Sequence, residues 1–256
     1  MRRVPEQATP PLPPDWLRCE MLERFRVLAE ARISPAARVL EVGSGPHAIT
    51  TVPLAHLVGR DGAVIAAERE RWTHFRELVQ VTGVQDRVSP VKCDARRLPV
   101  RSGSLDAAAC VHGIRSLGGD EALVEVLREM VRVAADVFIA ESIPEARSEA
   151  QKAHLAMYDL RSEVFEAATG RPDDRHYLPL SRLRELVEAA GGRVRESKVL
   201  DVDLPHALAY FPRSYVEQIP DQARRKELLE RWEDANHLVE VHGADHPPVG
   251  VVRASR

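Results

Sequence analysis

The 256-residue sequence lacks the features that mark secreted, disulfide-bonded and membrane-spanning proteins. Its three cysteines, Cys19, Cys93 and Cys110, form no Cys-x-x-Cys spacing, and their odd number argues against a disulfide framework and a structural zinc site. The sequence has no run of about 18 apolar residues to span a membrane, and no apolar stretch follows the N-terminal arginines as in a secretory signal. These absences and the thiols together predict a cytoplasmic protein with no membrane partner.

The sequence also lacks an excess of charge of one sign. Lysine and arginine number 36 against 39 acidic residues, a formal net charge of −3, and basic residues are interleaved with acids, as at 224–230. Aromatic residues make up only 5% of the chain, and the sequence has no compact basic patch with aromatic residues interleaved in it. Bulk attraction to nucleic acid is therefore not expected, and a small-molecule partner is favoured.

Short apolar stretches alternate with amphipathic stretches as far as Ala140. Near-continuous apolar strands indicate a parallel sheet covered on both faces, and their alternation with helices predicts a doubly wound, mostly parallel α/β sheet. The predicted strands span 38–42, 63–67, 88–92, 105–111 and 136–140, and the helices between them span 49–58, 71–81 and 123–133.

The pattern changes after Glu141, where a long helix is predicted over 145–169. We expect a helical insertion here, after the fifth strand, which covers the substrate as a lid. Four parts follow: an N-terminal extension and helix (1–35), a ligand-binding core (36–143), the helical insertion (144–180) and a C-terminal part of the same domain (181–256). The C-terminal part is predicted to hold helices at 181–190 and 220–240 and strands at 193–202 and 249–253.

Apolar stripes at helical spacing mark two helices outside the core. Asp15 is the expected N-cap of the first helix, after a proline-rich segment over 1–14. The stripe of the first helix is Trp16, Leu17, Met21, Leu22, Phe25 and Leu28, and that of the 145–169 helix is Ala150, Ala153, Met157, Leu160, Val164 and Ala167.

A glycine-rich turn follows the first strand directly, in Glu41-Val42-Gly43-Ser44-Gly45. Such a turn lets the backbone approach a ligand closely and points N–H groups towards an anionic group. In a doubly wound sheet it lies at the carboxyl ends of the strands, where ligands bind. The pattern Gly43-x-Gly45-x-x-Ala48 also fits a dinucleotide fingerprint, so a nicotinamide-dependent oxidoreductase is one alternative.

Three acidic residues near the strand ends favour a different ligand. Glu41 lies at the end of the first strand, two residues before the first glycine. Glu68 ends the second strand, where a carboxylate can accept hydrogen bonds from both ribose hydroxyls. Asp94 follows the third strand, where its side chain can meet the exocyclic amine of an adenine.

On these residues, over about 36–142, the sequence resembles the class I (Rossmann-like) S-adenosylmethionine (SAM)-dependent methyltransferases. The family's motifs are matched by Glu41-Val42-Gly43-Ser44-Gly45-Pro46-His47, by Glu68, by Cys93-Asp94-Ala95, and by a fourth strand that begins near Leu105-Asp106 and exits at Val111-His112-Gly113-Ile114. His47 stands where the family has its third glycine. The resemblance implies a seven-stranded sheet, SAM as cofactor, and cofactor contacts from Glu41, Gly43, Ser44, Gly45, Glu68, Arg69, Asp94, Ala95 and His112.

Methyl transfer depends largely on alignment, and a general base is needed only where the acceptor atom carries a proton that must leave. Candidate catalytic residues are His112, at the exit of the fourth strand, and His154 with Tyr158, which are four residues apart and share a helix face. His176 and Tyr177 follow the loop at 170–175 and are further candidates.

The motif after the fourth strand bears on the methyl acceptor. No Asn-Pro-Pro-Tyr-type motif of nucleic-acid amino-methylases stands there; the sequence is His112-Gly113-Ile114-Arg115. A small-molecule methyl acceptor is therefore favoured. The alternatives to this function are the oxidoreductase, although no Tyr-x-x-x-Lys pair is present, a SAM-binding protein without catalysis, suggested by His47, and an RNA or protein methyltransferase.

Three histidines near the C-terminus, His237, His242 and His246, raise the question of a metal. Gly243 interrupts the segment, so it is predicted to be a surface hairpin rich in histidine, with no metal site. The sequence leaves homo-oligomer formation open.

Overall fold

The computed structural model describes residues 14–69, 72, 74–171, 173, 177–205 and 211–256. The strands are β1 (Arg38–Val42), β2 (Ala63–Glu68), β3 (Val88–Lys92), β4 (Leu105–Val111), β5 (Ala134–Ser142), β6 (Arg193–Leu200) and β7 (Val249–Ser255). The helices are α1 (Pro14–Ala29), α2 (Thr51–Val58), α3 (Phe75–Val81), α4 (Asp120–Val133), α5 (Glu149–Thr169), α6 (Leu180–Ala189), α7 (Arg213–Glu217) and α8 (Gln222–His242).

The strands form one seven-stranded sheet in the order β3-β2-β1-β4-β5-β7-β6. Strands β1 to β5 are parallel, and β7 lies antiparallel between β5 and β6. This confirms the doubly wound, mostly parallel sheet. The chain direction across the sheet reverses between β1 and β4, so the switch-point crevice, where such folds bind ligands, lies at their carboxyl ends.

Both faces of the sheet are covered by apolar side chains of helices. One cluster joins the sheet to α1, α2 and α3 through residues such as Leu28, Leu54 and Phe75, and a second joins it to α4 and α6 through residues such as Leu127 and Leu186. This two-sided burial explains why β4, nearly all apolar, is buried along most of its length.

A third apolar cluster joins α5 to α7 and α8. Met157, Leu160 and Val164 of α5 pack with Phe211 and Leu228 in this cluster. The apolar stripe predicted for the long helix is thus buried at these α5 positions. The predicted insertion therefore packs against the C-terminal helix, and its role as a lid stays a prediction.

The stripe predicted for the first helix is partly wrong. Leu22 and Phe25 are 48% and 37% exposed, whereas the charged side chains of Glu20, Glu23 and Arg24 are buried. Hydrophobic periodicity failed because one face of α1 covers polar groups at the carboxyl end of the sheet. The helix begins at Pro14, while residues 1–13 and the Asp15 side chain lie outside the described part.

Several predicted boundaries moved by a few residues. The helix α5 begins at Glu149, not 145, because the Ser148 side chain accepts a hydrogen bond from the Gln151 N–H and caps it. The helix α3 begins at Phe75, and 71 and 73 lie outside the described residues. The helix α8 extends to His242, and β7 continues to Ser255 because it pairs with strands on both sides. No helix in the described ranges is long and apolar enough to cross a bilayer.

Candidate functional site

The loop after β1 has the tight backbone that its glycines predict. Gly43 and Gly45 have φ values of +77° and +66°, in the left-handed region that favours glycine. The Gly43 N–H donates to the Ala67 carbonyl at 2.9 Å, which continues the β1–β2 pairing. A Cβ built on Gly43 would lie 3.7 Å from the Gly113 Cα, so the ends of β1 and β4 approach closely. Together they form a narrow backbone floor at the switch point.

Glu41 lies beneath this loop with its carboxyl group fully buried. The Thr51 hydroxyl donates to Oε2 at 2.5 Å, while Oε1 has no hydrogen-bond partner among the described residues. Burial raises the pKa of Glu41 to about 8, although the bond from Thr51 opposes the shift. Ser44 Oγ is a second buried polar atom without a partner in the described structure. The loop thus holds two buried polar atoms without a partner among the described residues, which fits a polar ligand.

The ends of β2 and β3 place two further carboxylates beside the loop. Glu68 Oε2 accepts a hydrogen bond from the Gly45 N–H at 3.1 Å, and Oε1 accepts one from the Arg69 N–H at 2.7 Å. Asp94 is partly exposed and pairs with Arg96 at 2.6 Å, and this hydrogen bond lowers the pKa of Asp94 to about 2. Glu68 therefore meets the loop directly, while Asp94 lies one strand further out with Ala95 after it.

His47, the loop residue that departs from the glycine pattern, packs away from open solvent. Its ring stacks on the ring of His74 with centroids 5.1 Å apart and planes 2° from parallel. The His74 N–H donates to the Pro46 carbonyl at 2.9 Å, which ties the loop to the start of α3. Burial lowers the pKa of His47, so the stacked ring is neutral at neutral pH.

His112, at the exit of β4, is the centre of a buried polar cluster. Its φ of +52° is unusual for a residue other than glycine, and such strain concentrates at functional sites. Its Nε2 lies 2.9 Å from Glu23 Oε1, and its Nδ1 lies 3.3 Å from Glu141 Oε1 and 3.2 Å from Ser142 Oγ. The cluster joins helix α1 to the ends of β4 and β5.

Two arginines balance most of the negative charge in this cluster. The Arg24 guanidinium donates a hydrogen bond to the Glu20 carboxylate at 3.1 Å and also contacts the Glu23 carboxylate. The Arg115 guanidinium lies 3.5 Å from the Glu141 carboxylate. Three carboxylates thus face two guanidinium groups. Burial, reinforced by both arginines, holds the pKa of His112 well below its ordinary value.

A group of aromatic side chains surrounds Arg115 on its other side. The Tyr158 and Tyr177 rings stack with centroids 4.2 Å apart, and the Arg115 guanidinium lies 5.7 Å and 5.2 Å from them. His154 Nε2 lies 3.1 Å from the Tyr177 hydroxyl, and burial lowers the pKa of His154 to about 4. His154 and Tyr158 therefore share one helix face, as their spacing predicts, and Tyr177 joins them.

The structure brings most of the proposed site residues to one edge of the sheet. Their roles in binding and catalysis stay predictions, and His176 lies outside the described residues. Sequence reasoning missed Glu23, Arg115 and Glu141 as site residues. Glu141 is the next-to-last residue of β5, close to the strand end as Glu68 is, so the same rule would have found it, whereas nothing in the pattern around Glu23 marks it.

The prediction of a surface histidine hairpin is wrong. His237 and His242 belong to helix α8, and His246 is only 3% exposed. Its ring lies 5.3 Å from the ring of His112. The segment turns inwards because the His246 N–H donates to the Leu204 carbonyl at 2.8 Å, next to an isolated bridge between Pro205 and Asp245.

Comparison with solved structures identifies the fold. A cyclopropane-fatty-acyl-phospholipid synthase-like protein from Lactobacillus casei matches with a TM-score of 0.75 at 15% identity, over 94% of this chain and 92% of that chain. A geranyl diphosphate methyltransferase in complex with SAM gives 0.56 at 12%, over 93% and 86%. The [4+2]-cyclase SpnF gives 0.57 at 16%, over 91% and 80%. No protein-family model and no curated protein matches the sequence.

These likenesses confirm the class I SAM-dependent methyltransferase fold that the motifs predict. At such low identity the likeness concerns the fold alone. A fold shared by methyltransferases and a cyclase does not decide the reaction, which has to be argued from the site.

Proposed function

We propose that this chain is a SAM-dependent methyltransferase that transfers a methyl group in line to a small-molecule acceptor. The observation that carries the proposal is the loop at the switch point, where the Gly45 N–H and the Glu68 carboxylate meet at 3.1 Å above the buried Glu41. A nucleoside that also carries an amino acid needs this combination of acceptors and exposed backbone. We further expect the protein in the cytoplasm.

The loop suits the two ends of SAM differently. The backbone of Gly43 to Gly45, with Glu41 and Ser44, would hold the amino-acid end, because Glu41 Oε1 and Ser44 Oγ are buried polar atoms without a partner among the described residues. Glu68 would bind the ribose hydroxyls, with Arg69 beside it. Asp94 and Ala95 would lie near the adenine, with Asp94 orientated by Arg96.

The acceptor would bind between the end of β4 and helix α5. When bound, SAM would supply an electrophilic methyl group, and an acceptor atom held in line with the carbon–sulfur bond would form a bond to the methyl carbon while sulfur keeps the electron pair of the broken bond. His154 is neutral at neutral pH and its Nε2 lies 3.1 Å from the Tyr177 hydroxyl, so this pair would position the acceptor by hydrogen bonds, and His154 would be the candidate base where a proton must leave. Arg115, between Tyr158 and Tyr177, would orient a polar acceptor through its guanidinium and the two ring faces.

The strand order favours this cofactor over a nicotinamide dinucleotide. Dinucleotide-binding sheets are typically all parallel in the order 3-2-1-4-5-6, whereas here an antiparallel β7 separates β5 from β6. RNA binding depends on neutralising phosphates with basic side chains, which is why it is strongly dependent on salt. The small net charge of this chain therefore supports a small acceptor over RNA. A second candidate is a cyclase-like reaction in the same fold, which the SpnF likeness favours.

Calorimetric titration with SAM and its demethylated product tests the cofactor. We expect both to bind, and Glu68→Ala to weaken SAM binding roughly 30-fold, because two charge-assisted hydrogen bonds to the ribose are lost. The matched control is Glu188→Ala, which removes a half-exposed carboxylate at the far end of α6 and should bind normally. Tight binding of a dinucleotide and of neither sulfur ligand contradicts the proposal. A product with an unchanged methyl count would favour the cyclase-like reaction.

A further inference from the structure

We propose that Glu23, His112 and His246 form a binding site for one divalent transition-metal ion of the zinc or ferrous-iron class. The ligand atoms would be Glu23 Oε1 and the Nε2 atoms of the two histidines. The three residues each place one potential ligand atom within 4.8 Å of the others in the buried cluster at the exit of β4. Two imidazoles and one carboxylate are a ligand set that this class of ion prefers.

The distances between the ligand atoms are close to those of a metal site. His112 Nε2 lies 2.9 Å from Glu23 Oε1, and His246 Nε2 lies 4.0 Å from the same oxygen. Atoms that bind one ion at about 2.1 Å lie roughly 3–3.4 Å apart, so only a small movement of His246 is needed to close the site.

Outer hydrogen bonds orient both imidazoles towards Glu23. His246 Nδ1 lies 2.7 Å from the Pro247 carbonyl, which can only accept, so Nδ1 carries the proton and Nε2 is the lone-pair nitrogen. His112 Nδ1 faces the Glu141 carboxylate at 3.3 Å. Histidines that bind metals are typically held in this way by a carbonyl or a carboxylate on the other ring nitrogen.

The acceptor atoms around His112 outnumber its single ring proton. A neutral imidazole carries one ring proton, yet the two nitrogens of His112 each face a carboxylate, and His246 Nε2 lies 4.0 Å from the same Glu23 oxygen. In the competing arrangement Ser142 donates to His112 Nδ1, and His112 donates to Glu23. That arrangement satisfies His112, and in it Glu23 Oε1 and the lone-pair nitrogen of His246 lie 4.0 Å apart, at a distance that an ion between them can bridge.

The surrounding charges permit an added cation. Glu20, Glu23 and Glu141 face Arg24 and Arg115, which leaves one net negative charge in the cluster while the imidazoles are neutral. Arg24 contacts Glu23 through Oε2, so Oε1 is the oxygen directed at the histidines. Both imidazoles are buried, and burial lowers the pKa of each, as a ligand nitrogen requires.

The three ligands come from separate elements that are held firmly. Glu23 is on α1, His112 follows β4, and His246 precedes β7, where the His246 N–H bonds Leu204 at 2.8 Å. Three protein ligands leave at least one position on the ion for water or for an acceptor atom. The proposal does not depend on methyl transfer, because metal binding can be measured without SAM.

Titration of chelator-treated protein with Co²⁺ tests the site. We expect one Co²⁺ ion to bind per chain and to give a visible d–d absorption band. Zn²⁺ should displace the Co²⁺ and abolish the band, whereas about a tenfold excess of Mg²⁺ or Ca²⁺ should leave it unchanged, because these ions prefer oxygen ligands. Glu23→Gln and His246→Gln should each weaken binding about 100-fold or more, since even loss of an outer-shell partner costs about 10–100-fold. The control is Glu188→Gln, which changes a half-exposed carboxylate on α6 outside the cluster and should bind within about threefold of wild type.

Measurements on the wild type test the site even if the variants fail to fold. In ¹⁵N spectra, imidazole signals of two of the ten histidines should shift on addition of Zn²⁺, and Zn²⁺ should raise the melting temperature. Absence of stoichiometric Co²⁺ and Zn²⁺ binding by the wild type would overturn the proposal. So would unchanged affinity in both ligand variants, or an equal loss in Glu188→Gln. None of these results bears on SAM binding, which the calorimetric titration decides separately.

Discussion

Replacing Gly45 with leucine should abolish SAM binding, with at least a 1000-fold loss of affinity (on the order of 4 kcal/mol), while the protein still folds. No described atom lies within 4 Å of a Cβ built on Gly45, so the new side chain meets no protein atom at its base and projects into the space above the loop. That is the space in which the proposed cofactor would lie. The φ of +66° makes the substitution strained, at a cost of about 1–2 kcal/mol of stability.

The matched control for this strain is Gly83→Leu. Gly83 has a φ of +69° and likewise no described atom within 4 Å of a built Cβ, but it follows α3 at the opposite edge of the sheet. Calorimetry with SAM and thermal unfolding of both variants separate obstruction from strain. Normal binding by Gly45→Leu would show that the ligand does not use this loop. Equal losses in the two variants would show that backbone strain, not obstruction, causes the effect.

Local patterns in the sequence predicted the sheet and the acidic residues at its strand ends. Continuous apolar strands report burial on both faces, so β1 to β5 were predicted within a few residues. Glu41 and Glu68 were found because each stands at a strand end next to the glycine turn. The antiparallel position of β7 between β5 and β6 follows from tertiary pairing and left no local signal of its own.

The polar cluster around His112 was not predictable in the same way. Glu23 and His112 are 89 residues apart, and His246 comes from beyond helix α8, so no spacing rule links them. Helical periodicity was misleading at α1, since it assumes that a buried face is apolar. Here the buried face carries Glu20, Glu23 and Arg24 because the surface it covers is polar.

Burial of so many charged groups has consequences for stability. A paired buried charge offers little net stabilisation, but removal of one partner leaves the other uncompensated in a poorly solvated place. Glu141 illustrates this, because it is fully buried and contacts both His112 and Arg115. The cluster is therefore better explained by a function at the end of β4 than by a contribution to stability.

Glu41→Gln should make the protein more stable than the wild type at alkaline pH and weaken SAM binding. Burial raises the pKa of Glu41 from its ordinary 4.5 to about 8, with Glu68 adding to the shift and Thr51 and Arg24 opposing it. The folded state thus favours the neutral acid. Its contribution to stability is fully present below about pH 4.5 and is lost as the pH rises through about 8.

This loss of stability is measured by urea unfolding of the wild type and Glu41→Gln at about pH 5 and about pH 8.5, near the two ends of the titration. The free energy of unfolding of the wild type relative to the variant should fall by roughly 3–5 kcal/mol across that range, at about 1.4 kcal/mol per pKa unit. Glu188→Gln, which changes a half-exposed carboxylate, should show no such trend. A difference between wild type and Glu41→Gln that stays constant with pH contradicts the buried neutral acid.

SAM should reverse the pH effect in the wild type alone. The ligand carries an ammonium and a sulfonium, and a positive charge next to Glu41 favours the ionised carboxylate. With saturating SAM at about pH 8.5, the free energy of unfolding of the wild type should therefore rise, whereas that of Glu41→Gln should rise much less. Equal stabilisation of both proteins would show that the amino-acid end does not meet Glu41, and would move that end of the ligand elsewhere on the loop.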